Sequence, residues 1–351
     1  SGQSNPTFYL QKEGHAYVLR KKPHGPLLAG AHRVDREYRV QKALFAAGFP
    51  VPEPLLYCGD ASVIGTEFYV MQHVQGRIFR DASLPGVGPA ERSALSVAVM
   101  ETLALLHSFG LQSLGLQGYG RGPGYCRRQV STWKRQYEAA AHADIPAMNK
   151  LAEWLADNLP PGDDEESLTH GDFRIDNIIF HPTEARVLAV LDWELSTVGH
   201  PMADLAYATL FHFWPPATKA LGQGSALALK DTVESPSFEE LVSIYCRCRG
   251  ISTALPNFNF FLALSYFKLA AIAQGVYARY LLGNAAAENS HEFAKMVKPL
   301  AQRGLELSQR SSFSSTHPSA SGELFCQSRR GQEMLLKVKE FMKQHVYPAE
   351  K

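Results

Sequence analysis

Four side chains in one stretch could do chemistry together. His170-Gly-Asp172 is followed by Asn177, and the apolar run 187–191 then delivers Asp192. Asp172 is a carboxylate able to orient a hydroxyl group and take its proton. The carboxamide of Asn177 and the carboxylate of Asp192 offer hard oxygen ligands, which Mg²⁺ prefers while keeping several waters. To act jointly these groups must meet. Ile178–Phe180 and Val187–Leu191 read as two short buried strands joined by a turn over 181–185. Such a hairpin would carry Asn177 and Asp192 to the same sheet edge. The competing reading is a surface loop with a chance His-x-Asp and a capping Asp. The Asn in register and the strand ending in an acid favour the site.

The order of these parts is similar to that of protein kinases: a catalytic-loop Asp, a metal-holding Asn, then a strand and a metal-binding Asp. More specifically, HGDFRIDNIIF, VLAVLDWE and GHPMADLA resemble the aminoglycoside phosphotransferase-like family of small-molecule kinases. That family has Asp-Trp/Phe-Glu where protein kinases have Asp-Phe-Gly. The resemblance implies ATP and Mg²⁺ as cofactors, a catalytic group of Asp172, His170 and Asp204, and Asn177 and Asp192 as metal ligands. It gives Asp204 the task of bracing the catalytic loop through backbone hydrogen bonds. On sequence alone Asp204 also reads as a helix N-terminal acid. The implied fold is α+β and bilobal, protein-kinase-like, with a small β-rich N-lobe (1–75) and a mostly helical C-lobe (76–310).

The elements that would position the site follow in order. Phe8–Leu10 and Ala16–Leu19 read as strands around Lys12-Glu-Gly14. The opening Gly2-Gln-Ser4-Asn5 stands where kinases of this kind place a loop over the nucleotide phosphates, where small residues let backbone N–H groups approach an anion. The chain starts abruptly within this motif, and a strand upstream of it is expected. Arg20 follows Val-Leu at the end of the second strand and is assigned to phosphate binding by the resemblance; an exposed strand-end cation is the plainer reading. Residues 31–47 show helical periodicity. Glu37 on this helix matches the kinase Glu that pairs with the strand cation, although most such acids are solvated. Strands at 55–58 and 67–73 lead into a lobe linker, where backbone groups of Gln72, His73 and Val74 should meet the adenine edge.

In the C-lobe, helices are expected at 90–109, from 127 to 141, and at 148–159, 203–213, 238–249, 259–282 and 291–309. Arg77 could face an anionic substrate or solvent. His107 reads as a structural helix-end residue. The Gly-rich loop 118–124 precedes Arg127, Arg128 and Trp133, which could hold a nucleotide-like handle by ion pairing and stacking, or simply pack a helix. Lys268, in a very apolar helix, could neutralise a bound anion; snorkelling to the surface is the commoner outcome.

The chain has 351 residues, 45% of them hydrophobic, which permits a large core. A net charge of +1 argues against broad attraction to nucleic acid. Five scattered Cys have no zinc spacing and suggest a reducing compartment. The apolar stretch 258–282 is broken by Lys268, Gln274 and Arg279, so it reads as a core helix rather than a membrane span. A Ser-rich linker (311–327) precedes an amphipathic helix (328–351) that resembles the first helix of the acyl-CoA dehydrogenase fold.

Kinase domain, linker and opening helix together resemble a family of fusion proteins that join such a kinase to an acyl-CoA dehydrogenase. The resemblance implies phosphorylation of the 4-hydroxyl of 4-hydroxyacyl-CoA, feeding fatty-acid β-oxidation. It places FAD in the dehydrogenase half, outside this sequence. It further implies a homo-oligomer formed through that half and a peroxisomal and/or mitochondrial location. A kinase for another hydroxylated acceptor, or a pseudokinase scaffold, are the alternatives.

Overall fold

The computed structural model describes residues 5–23, 32–140, 144–161, 165–215, 236–283 and 290–310. Gly2, Ser4, the Ser-rich linker and the helix expected at 328–351 lie outside the described residues.

The N-lobe is a four-stranded antiparallel sheet with one helix on it. Strands β1 (Thr7–Lys12), β2 (His15–Lys21), β3 (Pro54–Cys58) and β4 (Phe68–Gln72) lie in the order β1-β2-β4-β3. Glu13 and Gly14 both take positive φ, 53° and 79°, and close a two-residue hairpin between Lys12 and His15. That conformation matches strand twist and suits glycine. Helix α1 (Val34–Ala46) buries Val34, Glu37, Val40, Gln41 and Leu44. These positions recur every three or four residues, as one helix face requires. A glutamate on that face is the first sign that α1 carries more than packing.

After β4 the chain crosses to the C-lobe, and Arg77 and Phe180 exchange backbone hydrogen bonds, both 2.8 Å. The C-lobe comprises α2 (Pro89–Ser108), α3 (Tyr125–Ala140), α4 (Pro146–Asp157), α5 (Pro201–Ala208), α6 (Phe238–Arg249), α7 (Phe258–Leu281) and α8 (Ala294–Ser308). Its core is built on α7, which packs against α3, α4, α5 and α8 and buries Phe258, Phe260, Phe261, Tyr266 and Phe267. By length and composition α7 could cross a bilayer, yet most of it is buried inside this lobe.

Two strand pairs sit at the face toward the N-lobe: β5 (Ser167–Thr169) with β8 (Thr197–Gly199), and β6 (Ile178–Phe180) with β7 (Val187–Val190). The second is the hairpin expected from the apolar runs. The first was not expected, because three-residue strands show no alternation to read. The helix expected at 203–213 is α5 followed by a separate 3₁₀ turn, Leu210–Phe213.

Candidate active site

The catalytic loop leaves β5 with Leu168 and Thr169 fully buried, so its base is rigid. Asp204, in the first turn of α5, reaches back to it. One carboxylate oxygen accepts the His170 N–H at 2.6 Å and the other the Gly171 N–H at 2.9 Å. His107 Nε2 lies 3.3 Å away, and its Nδ1 is 2.8 Å from the Tyr245 hydroxyl. Burial alone would push the Asp204 carboxyl up, but its bonds to His107 and Gly171 hold it below the usual aspartate value. Burial pulls His107 down, against the pull of Asp204. Gly171 takes φ +84°, and a Cβ there would sit 2.7 Å from the Leu195 carbonyl oxygen, so only glycine fits.

His170 has no exposed surface. Its Nε2–H donates to the Leu191 carbonyl at 2.8 Å, and Nδ1 accepts the Asp172 N–H at 3.1 Å. The ring lies 4.6 Å from Trp193. His170 therefore ties the loop to the end of β7 and does not face the cleft. Asp204 braces the loop through backbone hydrogen bonds, as the resemblance implied, and His170 is likewise a positioning residue rather than a group that could touch a substrate. Of the expected catalytic group, Asp172 is the member left partly open.

Asp172 is partly open. Asn177 Nδ2 donates to both its backbone oxygen and its Oδ2, at 3.0 Å each. With the amide nitrogen so committed, the carbonyl oxygen of Asn177 is the end left to accept a cation. Arg174 Nε is 3.4 Å from Asp172 Oδ1, and its other end donates to Asp176 at 2.8 Å. The Tyr207 hydroxyl also bonds Asp172, and burial raises that phenol well above its ordinary value, so it stays a donor.

Register brings the second acid over. Ile178 pairs with Val190, and the Leu191 N–H donates to the backbone carbonyl of Asn177 at 2.8 Å. Asp192 then takes a left-handed conformation, φ 66°, which turns the chain. Its Oδ1 meets Arg20 at 3.1 Å, and Arg20 Nε lies 3.0 Å from Glu37. Burial raises the Glu37 carboxyl, while Arg20 and Tyr69 pull it back. Tyr69 donates to Glu37 at 3.0 Å. Desolvation works against the charge on Arg20, but Glu37 and Asp192 raise its affinity for the proton above the ordinary arginine value. One guanidinium thus joins helix α1, strand β2 and the Asp192 segment. Next in sequence, Trp193 is 1% exposed, donates Nε1–H to the Val190 carbonyl at 3.0 Å and packs edge-on to Phe49.

Between the lobes lies a cleft of 550 Å³ whose walls include Arg20, Asn177 and Asp192. This is the size of a small-molecule site. The oxygen donors Asn177 and Asp192 on one wall suit a hard divalent cation such as Mg²⁺. Gln72, His73 and Val74 line the same cleft.

Other expected site residues are placed elsewhere. Asn5 is buried, with its side-chain N–H on Glu37 at 2.5 Å and its oxygen 3.0 Å from His32. Its carboxamide braces the Arg20 partner and is not offered to a phosphate. Arg77 is committed to Glu91 at 2.7 Å and to the carbonyls of His181 and Glu184, so it clamps the β6–β7 turn. Arg128 donates to the carbonyls of Gly122 and Pro123 and holds the Gly-rich loop. Arg127 is exposed on α3, and Trp133 donates to Gln129. Lys268 does not snorkel: its ammonium donates to the Gly171 carbonyl at 2.6 Å and lies over the Tyr207 and Trp133 rings. Burial pulls it below the usual lysine range, offset in part by Asp172 and Asp204. Arg174, Asp176 and Tyr207 were missed. The pattern Arg-x-Asp-Asn beside Asp172 was a legible signal for the first two; Tyr207 carried none.

Comparison with known proteins agrees with this geometry. Residues 1–234 match the phosphotransferase enzyme family. A Ralstonia eutropha structure, provisionally named an aminoglycoside phosphotransferase, is 39% identical with a TM-score of 0.76, covering 89% of this chain and 92% of that one. A thermostable mutant of aminoglycoside phosphotransferase APH(4)-Ia, in ternary complex with AMP-PNP and hygromycin B, shares the fold at 18% identity and a TM-score of 0.55, over 87% and 92% of the two chains. Acyl-CoA dehydrogenase family member 11 from Gallus gallus is 82% identical and that from Homo sapiens 65% identical, each over 100% of this chain. The chain spans 45% of the length of either relative. A kinase-like cleft on a bilobal α+β scaffold, with family matches across most of its length, settles the affiliation: the chain belongs to the phosphotransferase enzyme family.

Proposed function

We propose that this domain transfers the γ-phosphoryl group of ATP to the 4-hydroxyl of a 4-hydroxyacyl-CoA, as the kinase half of a longer protein that acts in fatty-acid β-oxidation. The observation that carries the phosphotransferase reading is the Arg20 bridge. It couples the buried Glu37 to Asp192, and Arg20, Asp192 and Asn177 line one cleft. In the mechanism Arg20 binds the nucleotide phosphates, while the linker backbone at Gln72–Val74 meets the base. Asn177 and Asp192 would hold Mg²⁺, which supplies charge neutralisation of the triphosphate. Asp172 accepts the proton of the acceptor hydroxyl as its oxygen bonds to the γ-phosphorus and the bond to the ADP oxygen breaks. Tyr207 and Arg174 keep the Asp172 carboxylate aimed. Such positioning is most of what phosphoryl transfer asks of a protein.

The acceptor is inferred from the names of the relatives, both acyl-CoA dehydrogenase family members. A thioester with a 4-hydroxyl is an alcohol that dehydrogenation chemistry at C2 and C3 leaves untouched; phosphorylation turns that hydroxyl into a leaving group. With this role goes a peroxisomal or mitochondrial site of action and an assembly formed through the dehydrogenase half, where FAD would bind. The test is mass spectrometry of 4-hydroxyacyl-CoA incubated with the domain and Mg-ATP. A gain of one phosphoryl group per acyl-CoA is expected; an unchanged thioester, with ATP consumed on an amino sugar instead, would refute the acceptor.

A further inference from the structure

We infer that the acceptor alcohol lays an alkyl segment into a small apolar chamber on the far side of the catalytic loop. The inference rests on the reading of Asp172 as the group that receives the acceptor's proton. The chamber has a volume of 60 Å³ and is walled by Phe173 and Ile175 of the loop, Leu84, Met100 of α2, Leu241 of α6 and Leu269 of α7. Its polar partition is Arg174 and Tyr207, which both line it and both hold the Asp172 carboxylate. A group resting against those two side chains is one side chain away from the acid that orients the hydroxyl. Phe173 and Ile175 flank Arg174 in sequence, so the segment that fixes Asp172 also builds the chamber wall.

The chemistry of the lining selects the occupant. A cationic or sugar-like acceptor would lose water against leucine, methionine and phenylalanine with few polar partners in return, whereas an alkyl chain loses nothing. The phosphate cleft is lined by other residues, Asn177 and Asp192 among them. The acceptor carbinol therefore sits between two compartments, one charged and one apolar. The volume equals that of about two water molecules. A short alkyl end fills it, and a longer one needs more room. Acceptor length is thus set by the residues facing the chamber from α2 and α7.

Two variants of opposite size test this, neither of them in the catalytic or nucleotide-binding set: Leu269→Ala opens the chamber, and Ser96→Leu, from its α2 wall, fills it. Each is read as kcat/KM over a series of 4-hydroxyacyl-CoAs and the matching free 4-hydroxy acids, beside the KM for ATP and a thermal midpoint. Leu269→Ala should move the preferred acceptor toward longer chains, and Ser96→Leu toward shorter ones, by about tenfold per methylene. The KM for ATP should stay as in the wild type. If one variant does not fold, the other still gives the shift. Unchanged chain-length profiles in a folded variant overturn the chamber and leave the phosphotransferase reading standing. Phosphorylation of the free acids alone, with the length shift intact, overturns the CoA thioester and keeps the chamber. If no alcohol of any length is phosphorylated, both fall.

Discussion

Asp204→Asn removes one charge and keeps the shape, so it isolates what the carboxylate does. The wild-type group accepts the N–H bonds of His170 and Gly171, at 2.6 and 2.9 Å, and faces His107 at 3.3 Å. An asparagine has one accepting oxygen. Whichever way it turns, its NH₂ confronts a buried N–H of the loop. A hydrogen bond to a charged group is worth about 1.5–3 kcal/mol, and a buried donor left unpaired costs about 1–3 kcal/mol. Together these predict a loss of about 3–5 kcal/mol, the range for breaking a buried ionic contact. Urea unfolding should show a lower midpoint with an unchanged slope. Because the loop carries Asp172, kcat should fall while the KM for ATP stays within about twofold, since the cleft residues Arg20 and Gln72–Val74 lie on other elements. The depressed Asp204 carboxyl stabilises the fold at neutral pH, and that contribution is lost as pH falls through its folded value; the variant should lack this acid-side decline. A variant with wild-type midpoint and wild-type kcat would refute the bracing argument.

Other perturbations read other parts of the site. Asp172→Asn should lower kcat by about 100- to 10,000-fold with the thermal midpoint nearly unchanged, because its side chain is partly solvated; near-normal turnover would remove it from the chemistry. Asp192→Asn should abolish Mg²⁺-dependent phosphorylation while circular dichroism stays unchanged. Gly76→Ala places a methyl group against the Phe180 carbonyl and 2.5 Å from Ile179, so it should destabilise by about 1–3 kcal/mol and raise the KM for ATP through the lobe linker; an unperturbed KM would show that the linker absorbs the shift. Burial pushes His212 down to about 4. The folded state keeps it neutral while the unfolded state takes a proton below pH 6.5, so stability should fall by up to about 3 kcal/mol between pH 6.5 and 4. His212→Gln should flatten that limb in pH-dependent urea unfolding.

The sequence made the hairpin that joins Asn177 to Asp192 readable, because two apolar runs flanked a turn, the first starting just after Asn177 and the second ending at Asp192. Helix α1 and the N-lobe strands were readable for the same reason, to within a few residues at their ends. Glu37 could be found only through the resemblance, since its burial depends on β2 and β4 packing over it. Long-range partners are what the one-dimensional pattern lacks. Nothing about Asn5 announces that it would turn inward to Glu37, 32 positions away, nor about Lys268 that it would end on Gly171. Polar side chains with several possible partners are decided by which neighbour arrives, and that is a property of the assembled lobes. Arg77, after Gly76, and Arg128, after the Gly-rich loop, are the same case in reverse: such cations look available, until backbone carbonyls use them.

Trp193 has a consequence for control. In protein kinases the aromatic residue after the metal-binding Asp can leave its seat, and its position sets the active and inactive states. Here an indole sealed by His170, Phe49 and the Val190 carbonyl holds that position. Expelling it would expose a large apolar surface and break a buried bond, a cost of at least about 3 kcal/mol. Fewer than roughly one molecule in a hundred would then occupy the flipped form. That packing works against a switch of this kind: the seat of the indole is closed by His170, Phe49 and the Val190 carbonyl.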